Sequence, residues 1–589
     1  MEYSRQEHWR FLEEELRSQT DSFKQKLDTK ASYLLLEREE LFIAQFVKIE
    51  KGEMILKFSN NRGIPRKGEY LYCFTTPKKL HNYKEWDNLT YGNLIKSKGF
   101  ATELVCVWQS VCRDDVRYCL VGFRGVDIDF AEHVAGHQGA FLILGPNMPP
   151  FQYIKNIQRI VRDAVSPQIN NLLDGSCSVG SNVPLLIPKH CKISEYILAQ
   201  LTLSDSVILQ GPPGTGKTYQ IANICKKLCN QGKSVLITAL TNRALIEVAK
   251  KEELRDLLVS GKIHKTKLTI DEVNELPELC SLNNLTVEPG HIVLSTFYTA
   301  SGEVDIFSEK AIFDFVIMDE ASQALLGMFM VCKLLGRKSL FVGDVNQLSP
   351  IVLINEDRIH RQNYYVYVDG LVSFERIELV PTYRLVETYR LPQRAACYTG
   401  MFYDDMLLSK QVQKSFSWND LTLDSQLKIS LPIGGGPILI KINLPLGQKK
   451  PIPAAVLVVK LISAILKQQK KLHISVLSFY VETTKLLQKV ISQVIKDNVV
   501  VETVSRIQGL TTDIAIYVVP NTIYTYSLNR RLFNVATSRS RSYTFIITDV
   551  DILDNRFIDK DVRRFLEELD KSSFYFPIKL EDQNILDIE

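Results

Sequence analysis

A chain of 589 residues, 45% hydrophobic and 23% charged, has the composition of a folded protein and is too long for one core. Its formal net charge of +4 permits a nucleic-acid partner without arguing for one, so any basic surface must be local. Residues 1–10 are polar and charged and no long apolar run follows, which excludes an ordinary signal peptide or membrane span and predicts an intracellular, cytoplasmic protein.

In chain order, apolar residues first recur at Trp9, Leu12, Leu16, Phe23, Leu27, Ala31 and Leu34. Steps of three and four with charges between them predict a long helix with one apolar seam, filling residues 1–40. From 41 to 150 short β-rich runs take over, at 41–49, 54–58, 70–74, 104–107, 118–123 and 140–144, separated by turn signals, and predict a small β-barrel. Residues 151–181 supply a second helix, with Ile154, Ile157, Val161 and Ala164 on one face, and a linker. Two helices flanking a barrel satisfy both seams by packing together, so the barrel is expected on a two-helix stalk.

Beyond residue 182 strands and helices alternate. Apolar runs at 206–209, 234–239, 291–295, 315–318 and 339–342 end at polar, Gly or Asp residues, as buried parallel strands do. The fold class is therefore α/β, with a doubly wound parallel-sheet domain over 182–372 and a second over 373–589. Residues 251–290 and 408–436 fit neither pattern and read as insertions. The eleven cysteines form no CxxC pair, so buried thiols are expected rather than disulfides or zinc. His133 and His137 have helical ligand spacing, but Gly136 weakens a helix there and no metal motif surrounds them.

The residues that carry chemistry begin at Gly211-Pro212-Pro213-Gly214-Thr215-Gly216-Lys217-Thr218, between a strand and a helix. Glycines let backbone N–H groups turn inward around phosphates, and the helix N-terminus adds positive potential. Lys217 suits the β- and γ-phosphates and Thr218 suits Mg²⁺, so ATP with Mg²⁺ is the expected ligand pair. Asp319 and Glu320 end a strand, where carboxylates face the crevice of an open sheet. Asp319 suits the metal, and Glu320 suits the base that orients an attacking water. An acidic pair that merely caps a helix is the bland alternative.

Gly-Pro-Pro-Gly-Thr-Gly-Lys-Thr, Asp-Glu-Ala-Ser-Gln (319–323) and Gly-Asp-Val-Asn-Gln-Leu-Ser-Pro (343–350) resemble the first three motifs of superfamily 1B helicases. Within them the nearest likeness is to the branch of the nonsense-mediated-decay helicase and its immunoglobulin-μ-binding relatives. Segments 385–390 with 402–403, 503–509 with Asp513, and 531–541 resemble later motifs of that family. The resemblance implies two tandem RecA-like domains preceded by a stalk-mounted barrel. It implies that Gln347 senses the γ-phosphate, that Arg390 and Arg539 are arginine fingers, that Tyr389 stacks on adenine, and that Gly509 lies at the nucleotide. It also implies ATP-driven, 5′-to-3′ movement on single-stranded nucleic acid, DNA or RNA, by a chain that works as a monomer. Thr241, Asn242, Arg243, Thr296 and Phe297 or Tyr298 would then meet the strand.

The sequence departs from the family in places. No glutamine stands in register upstream of the loop to read adenine, Thr511 replaces an acidic residue, and Pro392 comes one position early. Arg62, Arg66, Lys67, Lys78 and Lys79 of the barrel read better as a solvated loop face than as a binding face. Two other functions stay open on sequence alone: a nucleic-acid-stimulated ATPase that remodels complexes without unwinding, and an ATP-switched scaffold for a partner nuclease that docks on barrel and stalk.

Overall fold

The computed structural model describes residues 2–111, 115, 117–137, 139–176, 183–286, 288–306, 311–411, 418–423, 428–494, 498–506, 510–523 and 526–576. Helix α1 (Arg5–Asp28) starts where the Ser4 hydroxyl accepts from the Glu7 amide at 3.2 Å. It stops at an extended Thr29, and a short helix resumes at Ala31, so the single helix predicted through Leu34 is broken. The predicted seam is also rotated. Trp9 is 36% exposed, while His8, Phe11, Leu12, Glu15 and Gln19 are buried. Polar side chains reach the buried face because the Glu15 carboxylate finds backbone donors there, which a count of apolar residues does not see.

Six antiparallel strands follow: β1 (Phe42–Glu50), β2 (Glu53–Ser59), β3 (Tyr70–Thr75), β4 (Ala101–Val111), β5 (Tyr118–Arg124) and β6 (Phe141–Pro146). They close as a barrel in the order β1-β2-β5-β4-β3-β6. Bulges between Phe46 and Lys48 and between Cys106 and Trp108 tighten the coiling that closure requires. Leu56, Phe58, Val121 and Phe123 belong to the buried cluster that fills the barrel. Helix α2 (Phe151–Asp163) then returns along α1, with Gln158 donating to Glu13 at 3.0 Å and Phe23 edge-on to Phe151. Phe11, Leu12, Ile154 and Ile157 share one core with Phe329, Phe341 and Phe374. The two helices are thus bedded on the next domain over this length rather than standing free.

The first sheet has nine parallel strands: β7 (Leu185–Leu186), β8 (Ser206–Gln210), β9 (Val235–Ala239), β10 (Ile263–Thr266), β11 (Cys280–Leu282), β12 (Ile292–Thr296), β13 (Phe313–Met318), β14 (Gly336–Gly343) and β15 (Thr382–Arg384). Their order is β11-β10-β12-β9-β13-β14-β8-β15-β7. Two sequence expectations need correcting here. Residues 251–290, which fit neither pattern in the sequence, carry regular structure: they add β10 and β11 to the sheet and fasten the barrel. Ile270 N donates to Val126 O at 3.0 Å and Gly125 N to Asp271 at 2.8 Å, beside a buried Lys265–Glu272 pair at 3.0 Å. The first sheet also continues past residue 372. The Phe374 ring lies 4.8 Å from both Phe329 and Phe341, which keeps its helix on this core until β15 has paired with β8.

The second sheet has six parallel strands: β16 (Gly436–Ile442), β17 (Ile474–Ser478), β18 (Val499–Thr503), β19 (Thr512–Val518), β20 (Ser540–Asp549) and β21 (Phe574–Tyr575), in the order β18-β17-β19-β20-β16-β21. Within 408–436, strands Asp420–Thr422 and Lys428–Ser430 pair antiparallel, and Leu421 and Ile429 are buried in this second core. Among the described residues no helix is long and apolar enough to cross a membrane.

Candidate functional site

Strand β8 ends at Gln210 and helix α3 (Lys217–Asn230) begins seven residues later. The turn between them needs left-handed backbone at Gly214 (φ 75°) and Gly216 (φ 80°), which glycine adopts without strain. Gly216 is the N-cap and no side chain caps the helix, so its first amides keep their donors for something else. A second segment crosses over this turn. Thr388 Oγ1 donates to Pro213 O at 2.8 Å and Tyr389 N to Gly214 O at 2.9 Å. A Cβ on Gly214 would land on the Arg390 side chain. Lys217 Nζ donates to Gly211 O at 2.6 Å, and burial pulls its pKa below the usual lysine range, opposed by Asp344 and Asp319.

Asp319 and Glu320 follow directly on β13. Asp319 is buried, its Oδ1 accepts from the Glu320 amide at 2.8 Å, and burial raises its pKa. Glu320 holds φ 56° and ψ 32°, a left-handed conformation that a residue with a side chain keeps only when its surroundings enforce it. Burial, and then the neighbouring Asp319, push its carboxyl up to about 7, against the pull of Lys217 and Arg539.

Strand β14 delivers Asp344 and Gln347. Gln347 Nε2 donates to Asp344 Oδ2 at 2.6 Å, and Tyr403 OH donates to the same oxygen at 2.7 Å. Helix α4 (Arg530–Thr537) of the second domain supplies the other wall. Asn534 Nδ2 donates to Tyr403 OH at 2.7 Å and to Asn346 O at 2.8 Å. Arg539 is 2% exposed, anchored by Nε to Val535 O at 2.8 Å, and its Nη2 donates to Gln347 Oε1 at 3.4 Å. Arg390 Nη1 donates to Ser538 O at 3.4 Å. Burial lowers Arg539 to about 10 and Arg390 to about 9, with Arg539 and Arg541 adding to the effect on Arg390. Cations crowded into a poorly solvated space are stabilised by an anion, and a polyphosphate has that charge.

The structure therefore brings Lys217, Asp319, Glu320, Gln347, Arg390 and Arg539 to one cleft, with Gly211, Pro212, Pro213, Gly214, Thr215, Gly216 and Thr218 along its floor. Tyr389 is 60% exposed at the rim, its OH 3.4 Å from Glu387. Gly509 lies outside the described residues. Phe297 corrects an expectation, because it is fully buried and edge-on to Tyr153, with no face left for a base. Tyr298, 5.2 Å from the same ring, is half-buried. Thr241 caps the helix Asn242–Ala249, accepting from Ala244 N at 3.2 Å, while Asn242 and Arg243 are exposed beside it. Thr296 Oγ1 lies 3.3 Å from Thr299 Oγ1. Thr388, Tyr403 and Asn534 were given no role from sequence, although all three stand inside segments that resemble motifs.

The donor set fits ATP and Mg²⁺. The turn offers uncapped helix amides and a lysine, as phosphates require. Among the described residues no group of three His, Cys, Asp or Glu side chains forms a metal cage. One hydroxyl and one carboxylate, Thr218 and Asp319, suit Mg²⁺, which keeps waters and shares phosphate oxygens.

Residues 195–352 match the family described as AAA domain. The chain is 31% identical over 163 residues to the DNA replication ATP-dependent helicase/nuclease DNA2 of Saccharomyces cerevisiae, covering 27% of this chain and 11% of that protein. It is 35% identical over 216 residues to the Mus musculus protein of the same name, covering 35% and 19%, and 36% identical over 168 residues to that of Homo sapiens, covering 27% and 16%. The chain thus spans less than a fifth of the length of these relatives. Among solved structures, the Arterivirus nonstructural protein 10 helicase with DNA is similar at 15% identity and a TM-score of 0.33, covering 64% of this chain and 71% of that one.

Proposed function

We propose that this chain is an ATP-dependent helicase or translocase of superfamily 1B, in the branch of the nonsense-mediated-decay helicase, moving 5′-to-3′ on single-stranded nucleic acid. One observation carries the reading: the cleft is built from both sheets, with the phosphate turn, Asp319, Glu320 and Gln347 on one wall and Arg539 on the other. A nucleotide switch that moves domains needs contacts shared between them. The AAA-domain match over 195–352 and the partial likeness to DNA2 helicases support it.

In this reading the two parallel sheets are the tandem RecA-like domains. When bound, ATP with Mg²⁺ supplies the phosphoanhydride and a metal that shares its charge. The chain's own part is positioning. Lys217 and the α3 N-terminus hold phosphate oxygens, and Thr218 and Asp319 hold the metal. Glu320, with a pKa near neutrality, accepts a proton at its carboxylate from a water it orients. Arg390 and Arg539 meet the charge that builds on the phosphoryl group, and Gln347 reports its presence across the cleft. Single strands cross the exposed helix start at Asn242 and Arg243, and Thr296.

The test is ATP hydrolysis with and without single-stranded DNA or RNA, followed by separation of 5′- and 3′-tailed duplexes. DNA goes first, because the relatives' names specify DNA replication. The expected result is strand-stimulated hydrolysis and opening of the 5′-tailed duplex. No stimulation by either polymer would sink the reading, and hydrolysis without strand separation would replace it with a remodelling ATPase.

A further inference from the structure

Helix α1 carries a carboxylate that the chemistry above does not use. Glu15 is wholly buried. Its Oε2 accepts from the amides of Leu353 at 2.9 Å and Ile354 at 3.1 Å, and its Oε1 accepts from Leu353 N at 3.0 Å and Gln19 Nε2 at 2.7 Å. A carboxyl group taken out of water is costly unless its oxygens find donors, and here the backbone donors come from a loop more than three hundred residues away in sequence. The amides it holds lie on the loop that leaves the cleft after Gln347. Glu14 beside it pairs with Arg358 at 2.5 Å and accepts from Tyr364 OH at 3.2 Å. Arg531 of the second domain pairs with Asp369 at 2.7 Å and bonds Ser349. Segment 349–369 is thus held by Arg531 of the second domain at its two ends and by α1 in between. The helix leads on to Leu34 and Leu35, which pack with Leu41, Phe74 and Ile143 of the barrel.

We propose that Glu15 is a positioning residue that ties the loop following Gln347 to α1, so that the state of the nucleotide cleft is passed to the stalk and barrel. The inference rests on the nucleotide reading of the cleft. A carboxylate suits the task because both oxygens accept in one plane, so the loop amides cannot shift without either moving the helix or losing their acceptors.

The experiment compares the full chain with Glu15→Ala and Glu15→Gln. Basal ATP turnover and KM stay within about twofold, while the ratio of strand-stimulated to basal kcat falls about tenfold in Glu15→Ala and less in Glu15→Gln, the scale of ordinary coupling between sites. A folded Glu15→Ala protein with an unchanged ratio overturns the proposal. Hydrogen exchange on the unmutated protein gives a second measurement that needs no variant. A non-hydrolysable ATP analogue slows exchange in 349–354 and in α1 together, and a response in 349–354 alone overturns the proposal. Lys217→Ala separates the two readings: if it still hydrolyses ATP, the nucleotide assignment has failed, whatever Glu15 does.

Discussion

Arg539 donates to the side-chain oxygen of Gln347 at 3.4 Å, and that bond joins the residue leading into a central strand of the second sheet to the loop ending a strand of the first. Asn534, four residues before Ser538, completes the crossing by donating to Asn346 O at 2.8 Å. The two domains therefore meet through side chains that belong to the cleft itself. Replacing Arg539 with Ala should lower kcat for ATP by about 10³-fold or more, as loss of an arginine finger does, with KM changing far less. Steady-state hydrolysis decides it, and a drop below tenfold would remove Arg539 from the chemistry.

Glu320 sets the expected pH dependence. Its carboxyl is raised to about 7 by burial and by Asp319, and a base works only when ionised. Turnover should therefore rise as pH increases through about 7 and fall away below it. Glu320→Gln should abolish turnover while leaving nucleotide binding. A profile flat from pH 6 to 8 in the parent would contradict the assignment.

Gly214→Ala should cripple the phosphate turn. The position has φ 75° and its new methyl would meet the Arg390 side chain, so backbone and arginine must both give way. The expected outcome is weaker nucleotide binding, measured by calorimetry, together with a lowered thermal midpoint.

Tyr403→Phe removes a hydroxyl that donates to Asp344 and accepts from Asn534 in a buried network. Leaving those partners unmet should reduce stability by about 1–3 kcal/mol. Urea denaturation measures it, and no loss would mean that the network reorganises freely.

Phe297→Ala distinguishes core from contact. A fully buried ring should be lost at about 3–5 kcal/mol of stability. Affinity for a single strand, read by fluorescence anisotropy in the folded protein, should stay the same. A selective loss of affinity would return Phe297 to the binding surface.

Much of this was legible in the residues because local chemistry dictated it. Val207–Leu209 followed by the glycine turn can be little else than a buried strand feeding a helix, and it is β8 and α3. What was not legible depended on partners distant in sequence. Trp9 looked like a seam residue and is not buried, while Glu15 is buried because the amides that make it tolerable stand at Leu353 and Ile354. Strands β10 and β11 are too short to show a period, and β15 joins the first sheet only because Phe374 holds its approach there. Phe297 read as a stacking ring because nothing local announces that Tyr153 lies against it.

Arg506 of the second domain donates to the Gly68 carbonyl of the barrel at 3.3 Å, closing a circuit that runs from barrel to α1, to the first sheet, to the second sheet and back. A linkage closed on itself has fewer degrees of freedom than the same parts joined in a row. The two sheets cannot part by an arbitrary amount while that bond holds. The barrel must swing with them or the circuit must break at Gly68. A change in the spacing of the two sheets would therefore be met either by the barrel or by loss of this one exposed hydrogen bond, whose net contribution is only about 1 kcal/mol.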